Sequence, residues 1–302
     1  MLDTHRLRML VELSRRGTLS AFADAMSYSK ASISQQLSAL EREVGVPLMV
    51  KVGRGVQLTP QGHLLVEHAI GILDQLEGAS VAVARSLTEA TGTVRVAVLQ
   101  SAAHSLLPRT LEVLAQEHPA LRAEVTECDP ETGLVGVSSR EFDLILAEQY
   151  PGRTRPIHAD LDRVVLAYDD IMLARAPGTD DDPDSVAALW ATRHLAWVLE
   201  PIGTASRSWA VQLCRSAGFE PDVRYELADL TAHVRLIRSG LAVGLLPDLV
   251  WAGERPSVAV TALPGDPRRE IFSCARRISA QAPAIRAVRD ALAAAAAASL
   301  GP

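Results

Sequence analysis

The sequence predicts an α/β protein in three parts: a small module of short helices with a β-hairpin, a long helix, and a body of two α/β subdomains. Three patterns support this. Between residues 6 and 44 apolar side chains recur at helical spacing in short segments, and a two-strand pattern follows at 47–60. From 60 to 89 a sustained 4,3 spacing of apolar residues marks one long helix. From 94 onward short β-rich runs alternate with helical stretches, as α/β units do. About 210 residues is large for one such mostly parallel sheet, so two subdomains with a cleft between them are expected.

The first helix covers 6–16, with Leu7, Leu10, Val11 and Ser14 on one face, and Gly17 stops it. Thr18 or Ser20 caps a second helix over 19–26, and Ser29 caps a third over 29–43. Two short helices joined by a tight polar turn form a helix-turn-helix. In the third helix, Ile33, Leu37, Leu40 and Val44 form the inward stripe. The opposite face carries Ala31, Ser34, Gln35, Ser38 and Arg42 in place of the Glu and Lys of an ordinary solvated helix. Small hydroxyls and amides suit a helix that lies close against a polar surface. Then Val50, Val52, Val56 and Leu58 flank Gly-Arg-Gly at 53–55, a hairpin that presents Lys51 and Arg54 as a β-wing. Thr59 and Pro60 open the long helix. Its stripe of Leu65, Ala69, Ile72, Leu76, Ala79 and Val83 predicts a coiled-coil partner, with an amphipathic linker helix packed on its own domain as the alternative.

Charge divides the chain in the same way. The net charge is −6. Residues 1–60 hold eight Lys/Arg and five acids, a net of +3, so the remainder carries −9. Both lysines of the chain, Lys30 and Lys51, lie in this basic end. A basic module on an acidic body points to a polyanionic partner for the module alone.

Other classes find little support. No apolar run approaches the 18–20 or so residues of a membrane span, and the charged start "MLDTHRLRML" predicts no secretory signal. Cys128, Cys214 and Cys274 fit no metal or redox spacing, so reduced thiols, no metal site, no cofactor and a cytoplasmic location are expected. The chain lacks G-x-S-x-G, H-E-x-x-H, P-loop and G-x-G-x-x-G patterns, so no enzyme is predicted. The acidic run at 180–184 lacks the spacing and Gly of a calcium loop and reads as a solvated connection.

The string "GTLSAFADAMSYSKASISQQLSALEREVGVPL" and the following "GRGVQLTPQG" resemble the winged helix-turn-helix of LysR-type transcriptional regulators nearly residue for residue. "GTVRVAV", "SLLP", "FDLILA" and "SGLAVGLLP" stand in the family's order in the body. The resemblance implies a winged helix-turn-helix at 1–59, a dimerising linker helix at 60–89 and an effector-binding domain at 93–302. That last domain would comprise two subdomains like those of periplasmic solute-binding proteins, 93–165 with 264–302, and 166–263. Expected partners are promoter DNA, a small-molecule effector, further copies of the chain as dimer and tetramer, and RNA polymerase. Phe22, Met49 and Lys51 depart from the family's usual Ala, Phe and Arg. Lys51 loses the bidentate fork, which favours phosphate over base contact.

On this reading the outer face of helix 29–43 lies in the major groove. Gln35 pairs with adenine, and Lys30 donates to guanine or phosphate. Ser29 and Ser34 bond phosphate or base edges, and Ala31 or the Ser32 β-carbon meets a thymine methyl. Lys51 and Arg54 extend the contact through the wing. For the effector, Gln100, Ser101 and His104 follow strand 94–99 where open α/β sheets bind ligands. Thr204 and Ser206 open a second helix alike, and Glu148 and Tyr150 close the cleft. The hydroxyls among these can equally serve as helix caps. No Arg is placed in the cleft, and the effector's charge stays open. The rival function is an effector-independent repressor or chromosome-organising DNA-binding protein.

Overall fold

The computed structural model describes residues 2–26, 28–53, 55–86, 89–153, 159–179 and 184–300. The chain forms two compact units, Met1–Ser86 and Leu87–Pro302. Arg54 and most of the acidic run, 180–183, lie outside the described residues.

The first unit contains helices α1 (Thr4–Arg16), α2 (Leu19–Met26) and α3 (Lys30–Val44), strands β1 (Met49–Val52) and β2 (Gly55–Leu58), and helix α4 (Pro60–Ala84). Caps set the boundaries. Asp3 accepts from the His5 N–H, Ser29 from Ser32, and Thr59 from Gly62. Gly45 ends α3 at φ 82°, a left-handed conformation that favours glycine. The core joins Leu7, Leu10, Phe22, Ile33, Leu37 and Leu40, all essentially inaccessible. Each such side chain contributes about 1.5–3 kcal/mol. Phe22 is therefore core. Glu41 accepts from the Leu48 and Met49 N–H groups at 2.9 and 3.1 Å, tying the end of α3 to the antiparallel hairpin.

Helix α4 divides the expected stripe. Val66, Ala69 and Leu73 are buried in the core of their own unit, with Leu65 and Ile72 packed at its margin. Ala69 is completely covered within its own unit, while Leu65 and Ile72 stay half-buried. The distal residues Leu76, Ala79 and Val83 are exposed.

The second unit runs β3 (Gly92–Val98), α5 (Gln100–Ser105), α6 (Leu107–Glu117), β4 (Leu121–Glu127), α7 (Pro130–Ser138), β5 (Leu144–Gln149) and β6 (Leu161–Arg175). It continues α8 (Ser185–Ala191), β7 (Ala196–Leu199), α9 (Ala205–Ser216), β8 (Asp222–Glu226), α10 (Leu230–Arg238), β9 (Gly244–Pro247), β10 (Ala259–Thr261), β11 (Arg268–Arg276) and α11 (Pro283–Leu300). α5 and α6 are separate helices, divided at Leu106 ahead of Pro108.

The sheet is mixed, not mostly parallel. β3 pairs in parallel with β4 and β5, and β7 with β8. β11 runs antiparallel to both β5 and β6, and β9 and β10 are antiparallel to β6. The reason is connectivity. β6 and β11 are return crossings between subdomains, not strands of successive β-α-β units. β6 bonds β11 as far as Asp170 and β9 from Ile171, so one continuous strand serves both subdomains. A cleft opens beside this crossing. The wall formed by α7 is set by close approach: a Cβ on Gly133 would stand 2.2 Å from the Ile145 side chain of β5.

Candidate nucleic-acid interface and inter-subdomain cleft

The outer face of α3 stands clear of its unit. Ser29, Lys30, Ala31, Ser34 and Gln35 are exposed and Ser32 is half-buried. The Ser29 oxygen caps the helix, which leaves its O–H free to donate outward. Lys30, Ser34 and Gln35 have no hydrogen-bond partner among the described residues. The neighbouring Gln36 is occupied, accepting from Arg6 at 3.0 Å. Lys51 is exposed on β1, opposite Val56. A surface of unpartnered donors and acceptors on one helix, flanked by a basic hairpin, has the chemistry for reading base edges and phosphates.

In the second unit a cavity of about 440 Å³ lies between the subdomains. Its walls come from the loop after β3 with the start of α5, the β4–α7 loop, β5, the loop into α9 and the loop into α10. Gln100, Ser101, Glu148 and Thr204 reach it. Tyr150 and Ser206 line a narrow crevice below, where the Tyr150 ring lies 5.4 Å from that of Trp209. His104 is exposed and is not on the cavity wall.

Several of these groups already have partners. Gln100 reaches the start of α10: its Oε1 accepts from the Leu230 N–H at 2.8 Å, and its Nε2 donates to Asp229 at 3.4 Å. Thr204 caps α9, accepting from the Arg207 N–H while donating to the Pro201 carbonyl at 2.9 Å. Ser101 accepts from Arg269 at 2.7 Å.

Arg269 is the residue that sequence reasoning missed. It lies on β11, 2% exposed, at the cavity floor. Its Nε donates to Asp169 at 2.7 Å, and Nη1 donates to Glu148. Asp169 also accepts from the Leu249 N–H at 3.0 Å. Burial alone pulls the guanidinium pKa down, but the attraction of Glu148 and Asp169 outweighs it, so Arg269 stays charged. Burial, followed by the Glu148 charge, pushes the Tyr150 phenol well up. The Ser101, Glu148 and Asp169 partners of Arg269 lie 168, 121 and 100 residues away in sequence, so no local motif announces that arginine.

Glu200, which follows β7, faces the same cavity. Burial, then the Glu148 carboxylate, pushes its pKa up from 4.5 to about 7, against the opposing effects of a Ser206 hydrogen bond and Arg269. Cys128, also on the wall, has its thiol pushed up to about 11 by burial and by Asp129, Glu141 and Glu127. That leaves little thiolate at neutral pH. Among the described residues no group of three or more His, Cys, Asp or Glu side chains could hold a metal ion. No helix among them is long and apolar enough to cross a membrane.

Comparison with known proteins agrees with this architecture. Residues 4–63 match the family described as bacterial regulatory helix-turn-helix protein, lysR family, and residues 88–297 match the LysR substrate binding domain. The transcriptional dual regulator GltC of Bacillus subtilis is 27% identical over 259 residues, covering 86% of this chain and 85% of the relative. A full-length OxyR variant from Pseudomonas aeruginosa has the same fold, with a TM-score of 0.67 at 18% identity over 98% of this chain and 95% of that one. The full-length regulator CbnR, solved with its target DNA, gives a TM-score of 0.52 at 23% identity, over 98% and 100% of the two chains. The chain belongs to the LysR family of transcriptional regulators, with a DNA-binding helix-turn-helix and an effector-binding α/β domain.

Proposed function

We propose that the α3 face and the β1–β2 wing read a specific promoter sequence and that a small molecule in the cavity of about 440 Å³ modulates that contact. The cavity is the observation that carries this reading over an effector-independent regulator. It is large enough for a metabolite and is walled by both subdomains. Occupancy would change the angle between subdomains about β6 and β11, and the oligomer would pass the change to its DNA-binding heads and so to RNA polymerase. Two copies would pair through the exposed distal stripe of α4, Leu76, Ala79 and Val83. On this proposal the ligand is bound and not converted, and no cofactor takes part.

The test incubates the purified full-length chain with fragments of its source genome, with and without a metabolite extract, and sequences what is retained. A short set of sites sharing an inverted repeat, with occupancy altered by the extract, is the expected result. Retention of single half-sites would refute the paired reading. Broad retention indifferent to sequence and extract would refute modulation and favour an architectural role.

A further inference from the structure

The cavity is acidic. Glu127, Asp129 and Glu131 line one side, Glu200 the other, and Glu148 the floor, while Arg269 is the single basic side chain on the wall among the described residues. That cation is not available to a ligand: two carboxylates and the Ser101 hydroxyl already hold its guanidinium. Among the described residues a free anion would meet acidic side chains and no uncommitted positive charge.

Helix N-termini would ordinarily argue the other way, because their free N–H groups attract anions. Three of the four that border the cavity are capped from within. Asp129 accepts from Thr132 in α7, Thr204 from Arg207 in α9, and Asp229 from Thr231 in α10. Two of these caps are carboxylates, so they cancel the local positive field as well as occupying donors. Only α5 lacks a side-chain cap, and at six residues it contributes little dipole.

Glu200 is the independent pointer. Its carboxylate faces the cavity with the Ser206 hydroxyl as hydrogen-bond partner. The nearby Arg207 guanidinium is taken by Glu226 at 2.8 Å and by the Glu200 main-chain carbonyl at 3.1 Å. Among the described residues no cation stands within ion-pair distance of the Glu200 carboxylate. Beside it the wall is apolar, with Pro201, Ile202, Ala205 and Leu230.

We infer that the cleft takes a ligand with a cationic head, an ammonium or guanidinium on a short apolar body, seated against Glu200. The inference rests on the effector-binding reading of this cavity and specifies the ligand's chemistry. An ammonium or guanidinium head donates charge-assisted hydrogen bonds to Glu200, and its carbon body covers Ile202 and Leu230. A metal ion is a poor alternative, since no metal-holding cluster occurs among the described residues.

The test measures binding to the full-length protein by calorimetry and by the shift in unfolding temperature. The probes are 1,5-diaminopentane and butylguanidinium, with glutarate and butyrate as anionic counterparts of similar size. The expected result is saturable binding of the cations alone. Glu200→Gln should weaken it by about tenfold or more, in line with loss of a hydrogen bond to a charged group. Glu112→Gln, an exposed acid on α6 away from the cavity, should leave it unchanged and so exclude general attraction to a negative protein. Binding of the carboxylates and not the cations overturns the charge class while leaving the effector reading intact. Equal weakening by both variants, or no response to either probe set, also overturns it. If a whole metabolite extract also fails to shift unfolding or operator occupancy, the effector reading falls with it.

Discussion

The outer face of α3 and the wall of the cleft are both polar, yet their side chains are placed in opposite ways. On α3, Lys30, Ser34 and Gln35 point away from the unit with no intramolecular partner among the described residues. In the cleft, Ser101, Gln100, Thr204 and Glu148 are engaged by neighbours. A nucleic-acid surface on one helix follows from that helix's periodicity. A cleft between subdomains must first satisfy its own buried polar groups, and a ligand meets only what remains. Here what faces the cavity with no cation beside it among the described residues is Glu200.

The contrast breaks most severely at Arg269. Arg269→Met leaves Glu148 and Asp169 buried without their cation, and should destabilise the second unit by about 3–5 kcal/mol. Denaturant unfolding followed by the buried Trp197 and Trp209 checks this. Neutralising the carboxylates as well, with Glu148→Gln and Asp169→Asn, should recover most of the loss. If Arg269→Met alone is harmless, the charge network is not what holds the floor of the cavity.

On α3 the corresponding change touches no internal contact. Gln35→Ala should leave unfolding unaltered and cost about 1–3 kcal/mol of discrimination at one base position. A binding selection showing the wild-type preference at every position would remove Gln35 from the reading surface.

Glu200 sharpens the comparison through pH. Its folded pKa, about 7, lies above its ordinary 4.5. A raised carboxylate contributes stability that is complete below about 4.5 and is lost as pH climbs through 7. The groups facing it are Ser206 and Arg207 from α9, Glu148 and Tyr150 at the end of β5, Arg269 from β11 and His233 from α10. Allowing for its partial exposure, Glu200→Gln should stabilise the protein relative to wild type by about 1–2 kcal/mol at pH 8 and hardly at all at pH 4. A difference that does not vary between these pH values would show that Glu200 is not the titrating group.

Legibility followed range. The helices of the first unit and the exposed face of α3 were readable because a period of 3.6 and a Ser, Asp or Thr cap are local signals. The α4 stripe was only half readable. Its 4,3 spacing gives one apolar seam but not what covers it, and the fold buries Val66, Ala69 and Leu73 on α1 and the core while leaving Leu76 and Val83 bare. Candidate cleft residues near strand ends were partly readable: Gln100, Ser101, Glu148 and Thr204 reach the cavity, Tyr150 and Ser206 lie beneath it, and His104 stands outside.

By itself, then, the sequence determined the order of short helices, hairpin, long helix and α/β body, the polar outer face of α3 and the strand ends where a ligand site could form, because each depends on residues a few positions apart. The tertiary structure decided the antiparallel crossing of β6 and β11, the binding of Arg269 by Ser101, Glu148 and Asp169, and the acidic character of the cavity. Those features depend on which distant strands become neighbours and on which charges burial forces into pairs. No local pattern encodes either.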